Sequence, residues 1–329
     1  MRSWGLCALS IVLAALSSCR KAPEPIDIEE LQKVPKITLQ MDWYAQAEHG
    51  GYYMALVKGY YKEAGLDVTI REAGPGVAGG MRLASGGPIF GIGRGDEAIV
   101  EAARDIPVIM IAAQMQHDPQ ALLIHAGSPV NSFKDLNGRA IMTVPGANWI
   151  AYVQRTFHIQ FSIIPMNFGM AQFMADPNFI QQCFVTNEPY YVEKNGGHAK
   201  TLLLADSGFD PYRVLMGNAD YVAKHRDATR AFVQASIRGW KEYLYGDPTP
   251  AFREIAARNI QMTPDFLEFS YRAMKEKRLV DGDPSKGEAI GVLSRKRLQE
   301  QIDALQNLGV LDRTVKVDEV ADLRFTTEP

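Results

Sequence analysis

Apolar and polar side chains alternate through "KITLQMDW", with Ile37, Leu39 and Met41 set against Thr38, Gln40 and Asp42, the two-residue period of a strand. The period then lengthens. Over 52–64, Tyr53, Leu56, Val57 and Tyr60 recur at helical spacing, and Gly65 stands where a left-handed C-terminal cap is wanted. "LDVTI" starts a second strand at once, followed by a helix over 77–84, the strand "PIFGIG", a helix over 96–104 and the strand "PVIMIAA". Such consecutive βαβ units predict a largely parallel sheet with right-handed crossovers and helices on both faces.

After "ALLIH" the alternation restarts with the short helix "SFKDLN", the strand "RAIMTVP", the helix "ANWIAYVQRTF", the strand "FSIIPMNF", a helix over 171–174 and the strand "QCFVTNEP". Beyond "PYRVLMG" helices take over, one of them opened by Thr263 and Pro264 as cap and first residue. A late helical block has no sheet of its own to cover. The expected arrangement is therefore α/β with two lobes: lobe I from 36–121 and 213–329, and lobe II inserted over 122–212. The chain crosses between them near Ile124 and Val214.

The start of the chain follows another pattern. Arg2 precedes the apolar run "LCALSIVLAAL", too short to span a bilayer, and then "LSSC". This predicts an export signal over 1–18, and Ser17 and Ser18 directly before Cys19 resemble the lipobox of bacterial lipoproteins, in which that thiol is acylated. The plainer alternative is an ordinary signal with an incidental cysteine. Residues 19–35, charged and Pro-containing, read as a tether. Cys183 is then left without a disulfide partner and is expected as a small buried side chain.

The remaining composition narrows the function. With 47% hydrophobic and 22% charged residues and a net charge of −3, acids and bases are mixed and no basic run exists to bind nucleic acid. There is no G-x-S-x-G, H-E-x-x-H or C-x-x-C pattern, so no metal or catalytic site is expected from motifs. "GPGVAG", Gly74 to Gly79, matches a dinucleotide fingerprint, but it follows the second strand and the acids Asp96 and Glu97 lie beyond a third; it reads as a corner whose amides meet a guest.

In sheets of this kind the crevice lies beyond the carboxyl ends of the strands. Trp43, Tyr44 and His49 leave the first strand there, Gly76 the second, Arg94 and Glu97 the third, and Asn148, Trp149, Asn187 and Glu188 the strands of the second lobe. Trp43, Tyr44 and Trp149 offer flat faces; Arg94, Glu97, Asn187 and Glu188 offer charge or directional hydrogen bonds. Each has a plainer reading: core filling for the aromatics, a satisfied imidazole for His49, surface pairing for Arg94, and an N-cap role for Asp96. Glu188, ahead of Pro189, is expected in extended geometry at a strand end.

"DWYAQAEHGGYYMALVKGYYKEAGLDV", "FKDLNGRAIM" and "TNEPY" resemble the substrate-binding proteins of ABC importers for alkanesulfonates, taurine and thiamine-pyrimidine precursors, a family that includes the thiamine pyrimidine synthases. The resemblance runs from Ile37 to about Leu311. It implies a type II periplasmic-binding-protein fold, a small-molecule ligand and a membrane permease as partner; no cofactor is expected, and with Cys19 acylated the protein is expected as a monomer anchored through its lipid outside the cytoplasm. It further implies ring stacking on Trp43 and polar contact from Glu188. The alternative is the enzyme branch, dependent on pyridoxal phosphate, its own histidine and iron; "GIGRGDEAIV" has neither the lysine nor the histidine that branch places there, and "SGFDPYRVLMG" lacks its cysteine-rich run. Binding of an alkanesulfonate or aromatic carboxylate is a further alternative.

Overall fold

A computed structural model describes residues 34–75 and 79–326. The expected signal over 1–18, Cys19, most of the tether and Gly76 lie outside the described residues. Two five-stranded sheets organise the rest. The first contains β1 (Lys36–Gln40), β2 (Asp67–Arg71), β3 (Ile89–Arg94) and β4 (Val108–Met115). The second contains β5 (Gln120–His125), β6 (Ala140–Thr143), β7 (Ser162–Pro165), β8 (Ile180–Phe184) and β9 (Ala199–Leu203), and β10 (Arg213–Asn218) returns to the first. The strand orders are β2-β1-β3-β10-β4 and β7-β6-β8-β5-β9.

Both sheets are mixed, where a largely parallel arrangement was expected. β1 runs parallel to β2 and β3, and β6 parallel to β7 and β8, as βαβ crossovers require. β10 is antiparallel to both β3 and β4, and β5 antiparallel to both β8 and β9. These are the two strands that arrive from the other sheet, so no crossover helix fixes their direction.

Burial explains the patterns. In β1, Ile37 and Leu39 are buried as the alternation predicts, but Gln40 is buried too because β1 lies between two neighbours. Its amide is satisfied locally: Nε2 donates to the Met41 carbonyl at 3.0 Å and Oε1 accepts from Arg82 Nη1 at 2.8 Å. The helix expected over 52–64 is two, Gly50–Val57 and Tyr60–Glu63, broken where Gly59 takes φ +75°. The double glycine before them serves packing. A Cβ on Gly50 would stand 2.1 Å from the Tyr243 ring and one on Gly51 2.1 Å from the Trp240 ring, so these rings of the helix Arg226–Tyr245 lie directly on the backbone of the helix Gly50–Val57, and a Cβ on Gly239 would come within 2.2 Å of the Gly51 carbonyl oxygen.

The crossings fall at 116–119 and 204–212, not at Ile124 and Val214, which lie inside β5 and β10, and they are tied to each other and to the helix Arg295–Leu308. His117 Nδ1 lies 2.6 Å from Asp210 Oδ2, the Asp118 N–H donates to Asp210 Oδ1 at 3.2 Å, and Arg297 donates to Asp210 Oδ2 at 2.9 Å. Asp210 and Glu288 hold the His117 imidazole above its usual range against the opposing pull of burial.

Candidate functional site

Beyond the carboxyl ends of β1, β3 and β8 lies a cavity of about 640 Å³. Its walls come from both sheets: Trp43, Arg94 and Glu97 from one side, Asn148, Phe168 and Glu188 from the other. Trp43 and Glu188 thus face one hollow. Two sequence motifs far apart in the chain meet beside it, where Glu48 Oε1 accepts hydrogen bonds from the Thr186 hydroxyl and, at 2.7 Å, from Asn187 Nδ2.

Trp43 is half-buried with one face toward the cavity, and its ring centroid is 5.4 Å from that of Phe168 at an interplanar angle of 41°. Phe168 has φ +58° and is held on a turn in which Asn167 Oδ1 accepts from the Gly169 N–H at 2.8 Å. A left-handed aromatic residue is uncommon, and here it projects the ring into the mouth. The expected strand "FSIIPMNF" is accordingly short, ending at Pro165. "NFG" was the available turn signal.

The Arg94 guanidinium is buried and engaged through Nε and Nη1. Nε donates to Asp96 Oδ1 at 3.0 Å, Nη1 donates to Gln120 Oε1, and Asp118 Oδ2 is 3.5 Å away. Burial works against its charge, but Asp96, Asp118 and Glu97 more than offset this and hold it above its ordinary range. Asp96 is not the N-cap. The helix Gly95–Ala103 starts one residue earlier, and Asp96 bridges Arg94 to Asn148, whose Nδ2 donates to Oδ2 at 2.9 Å.

Glu188 opens the helix Glu188–Lys194, with Pro189 in its first turn, so the extended geometry expected for it is not found. Its Oε2 accepts from the Phe184 N–H at 2.7 Å. Burial pushes its carboxyl up to about 7, against the lowering effect of that hydrogen bond. Cys183, beside it in the wall, is buried and its thiol is pushed well up by burial, which makes it a poor nucleophile.

Four expected contributors stand elsewhere. Trp149 is fully buried in the second-sheet core, stacked on Phe161 at 5.9 Å, because it falls on the same helical stripe as Val153. Tyr44 turns outward, 51% exposed, and meets Trp43 edge-on. His49 is buried, its Nε2 2.9 Å from Asp42 Oδ1; burial lowers it to about 4, so it is a neutral structural imidazole that steadies Asp42. Asn187 serves Glu48 and does not reach the cavity wall. Sequence reasoning missed Phe168, Gln181, Glu101 and Arg213. Arg213, on β10, donates to Asp42 Oδ2 and remains protonated although burial lowers it to about 10.

Compared with known proteins, residues 46–251 match the family model described as NMT1/THI5 like. The formylaminopyrimidine-binding protein of Halalkalibacterium halodurans is 24% identical over 76% of this chain and 78% of its own. The riboflavin-binding protein RibY of Chloroflexus aurantiacus is 25% identical over 70% and 68%. At 24% identity, over 72% and 75%, stands a Saccharomyces cerevisiae 4-amino-5-hydroxymethyl-2-methylpyrimidine phosphate synthase, THI11. Among solved structures, the alkanesulfonate-binding protein SsuA of Xanthomonas axonopodis pv. citri, bound to MOPS, superimposes with a TM-score of 0.64 at 13% identity, over 87% of this chain and 98% of that one. The fold is that of the two-lobed periplasmic binding proteins.

Proposed function

The chain belongs to the NMT1/THI5-like family, and from that premise we propose that it is an extracytoplasmic substrate-binding protein that captures a small planar heterocycle between its lobes and delivers it to an ABC permease. One observation carries the reading: Trp43 and Phe168, from different sheets, form an aromatic pair at a cavity into which Glu188 also faces. A ring slipped against Trp43 gains stacking and loses water, while the Glu188 carboxyl, poised near neutrality, accepts from a ring amino group or donates to a ring nitrogen. A thiamine-related pyrimidine suits both, in keeping with the named ligand of the H. halodurans relative.

Closure follows from contacts made on both sides. Glu48 with Thr186 and Asn187, and Asp96 with Asn148, join the lobes I 36–121 plus 213–329 and II 122–212, and a guest that adds contacts to both favours the closed form. The crossings bend as hinges. We assign Cys19 as the lipid-bearing mature N-terminus that tethers the protein to the membrane.

A thermal-shift screen tests the binding reading. At about a hundred times its dissociation constant, a true ligand adds roughly 2.7 kcal/mol of stability. Pyrimidines should raise Tm; silence toward pyrimidines, flavins, sulfonates and aromatic acids alike removes the import reading. Turnover with pyridoxal phosphate and iron, accompanied by loss of a histidine from the chain, would establish the enzyme branch instead. Mass spectrometry of the mature protein checks the anchor: a diacylglyceryl mass on Cys19 is expected, and an unmodified Ser or Ala start contradicts it.

A further inference from the structure

The charge lining the cavity is unbalanced. Three arginines reach its wall, and each is already engaged: Arg94 with Asp96 and Asp118, Arg213 with Asp42, and Arg104 with Asp312 at 3.2 Å. Between Arg94 and Arg104, which cap its two ends, the helix Gly95–Ala103 presents Glu97 and Glu101 to the cavity, one turn apart on one face. Glu97 is 64% exposed, with Arg94 Nε, shared among other acids, 4.0 Å away as its one ion-pair partner among the described residues. Glu101 pairs with no cation among the described residues, and its Oε2 is buried without a hydrogen-bond donor. Like charges at this spacing destabilise a helix, so the arrangement has no structural benefit of its own.

An independent feature of the other sheet points the same way. Gln181 on β8 is 2% exposed and lines the cavity, and its Oε1 is buried with no donor, while its Nε2 is occupied by Met170 Sδ at 3.2 Å. Buried acceptors left without donors are rare in folded proteins unless something else supplies the donor. Here two residues that carry such acceptors, Glu101 and Gln181, line one hollow.

We propose that the guest is a positively charged, donor-rich heterocycle, its cationic group seated against Glu97 and Glu101 and an N–H directed at Gln181. This deepens the binding reading and rests on it. It also separates this chain from its structural neighbours named for sulfonates: an anion would meet two carboxylates and arginines that already have acidic partners, whereas a cation supplies the missing partner.

The test compares two probes by isothermal titration: a 4-aminopyrimidine with an aminomethyl arm, cationic at pH 7, and the same ring with a hydroxymethyl arm. Ethanesulfonate serves as the anionic probe. The cationic arm should bind at least tenfold more tightly than the neutral one. Glu101→Gln and Glu97→Gln, isosteric and placed at the cavity wall, should each lower the affinity of the cationic arm several-fold more than that of the neutral arm, with the Tm of the unliganded protein unchanged or raised. Equal binding of the two arms, or a preference for ethanesulfonate, overturns the inference and leaves the binder reading intact. If no probe binds, in titration or in the wider thermal screen, both fall together.

Discussion

Two tryptophans stand at matching corners of the two sheets, and they do opposite things. Trp43 leaves β1, stays half-buried and shows a face to the cavity; Trp149 follows β6 and vanishes into the core against Phe161. The difference lies in the element that carries each. Trp43 is on an irregular corner, free to point along the cleft, whereas Trp149 is the second residue of the helix Asn148–Phe157, where the stripe shared with Val153 commits it inward and leaves Asn148 for the cavity. At such corners, helical phase decides which side chain faces a guest; residue type does not.

Breaking this comparison at its strongest point means Trp149→Ala. Loss of a fully buried indole should cost about 3–5 kcal/mol in denaturant unfolding, with affinity of the surviving folded protein changed little. Trp43→Ala is the complement: unfolding free energy within about 1 kcal/mol of the parent, but ligand affinity lowered tenfold to a hundredfold, about 1.4–2.7 kcal/mol, by titration. If Trp43→Ala proved the more destabilising of the two, the division would be wrong.

Glu188 sharpens it, because here function opposes stability. Its folded pKa of about 7 exceeds the ordinary carboxylate value, so the folded state holds the proton more tightly than the unfolded chain. The stabilising contribution is complete below about pH 4.5 and is lost as pH rises through about 7. Glu188→Gln should remove that slope and raise stability at pH 8 by about 1–2 kcal/mol, while weakening capture of an aminopyrimidine; unfolding measured from pH 5 to pH 8 checks it. The smallest effect is expected of Phe168→Ala, exposed and outside the core. It should leave Tm unchanged and cost about 0.5–1.5 kcal/mol of binding.

Much of the fold was legible because period and punctuation agree along this chain. Strand alternation located β1, and Gly65, with φ +74°, closes the helix before β2 as expected. What periodicity cannot supply is strand direction across a long crossing, which is why the antiparallel placement of β5 and β10 was missed. The cavity was legible at Trp43, Arg94, Glu97, Asn148 and Glu188, all at strand or helix ends. Phe168, Gln181 and Glu101 escaped notice for a physical reason: each sits inside a run that reads as ordinary turn, strand or helix, and what marks it, the ring contact with Trp43 for Phe168 and an unmet acceptor for Gln181 and Glu101, appears only in three dimensions. Beside the turn signal "NFG", the acid pair one turn apart in "DEAIVEAAR" was a clue, since like charges at that spacing oppose the helix that bears them.

The central claim is that corners from both sheets enclose a single guest, and a crystal structure of the protein with a bound aminopyrimidine tests it most directly. The ring is expected on Trp43, beneath Phe168, with a ring nitrogen or amino group within hydrogen-bond distance of Glu188. A ring bound elsewhere, with this cavity filled only by solvent, would contradict it.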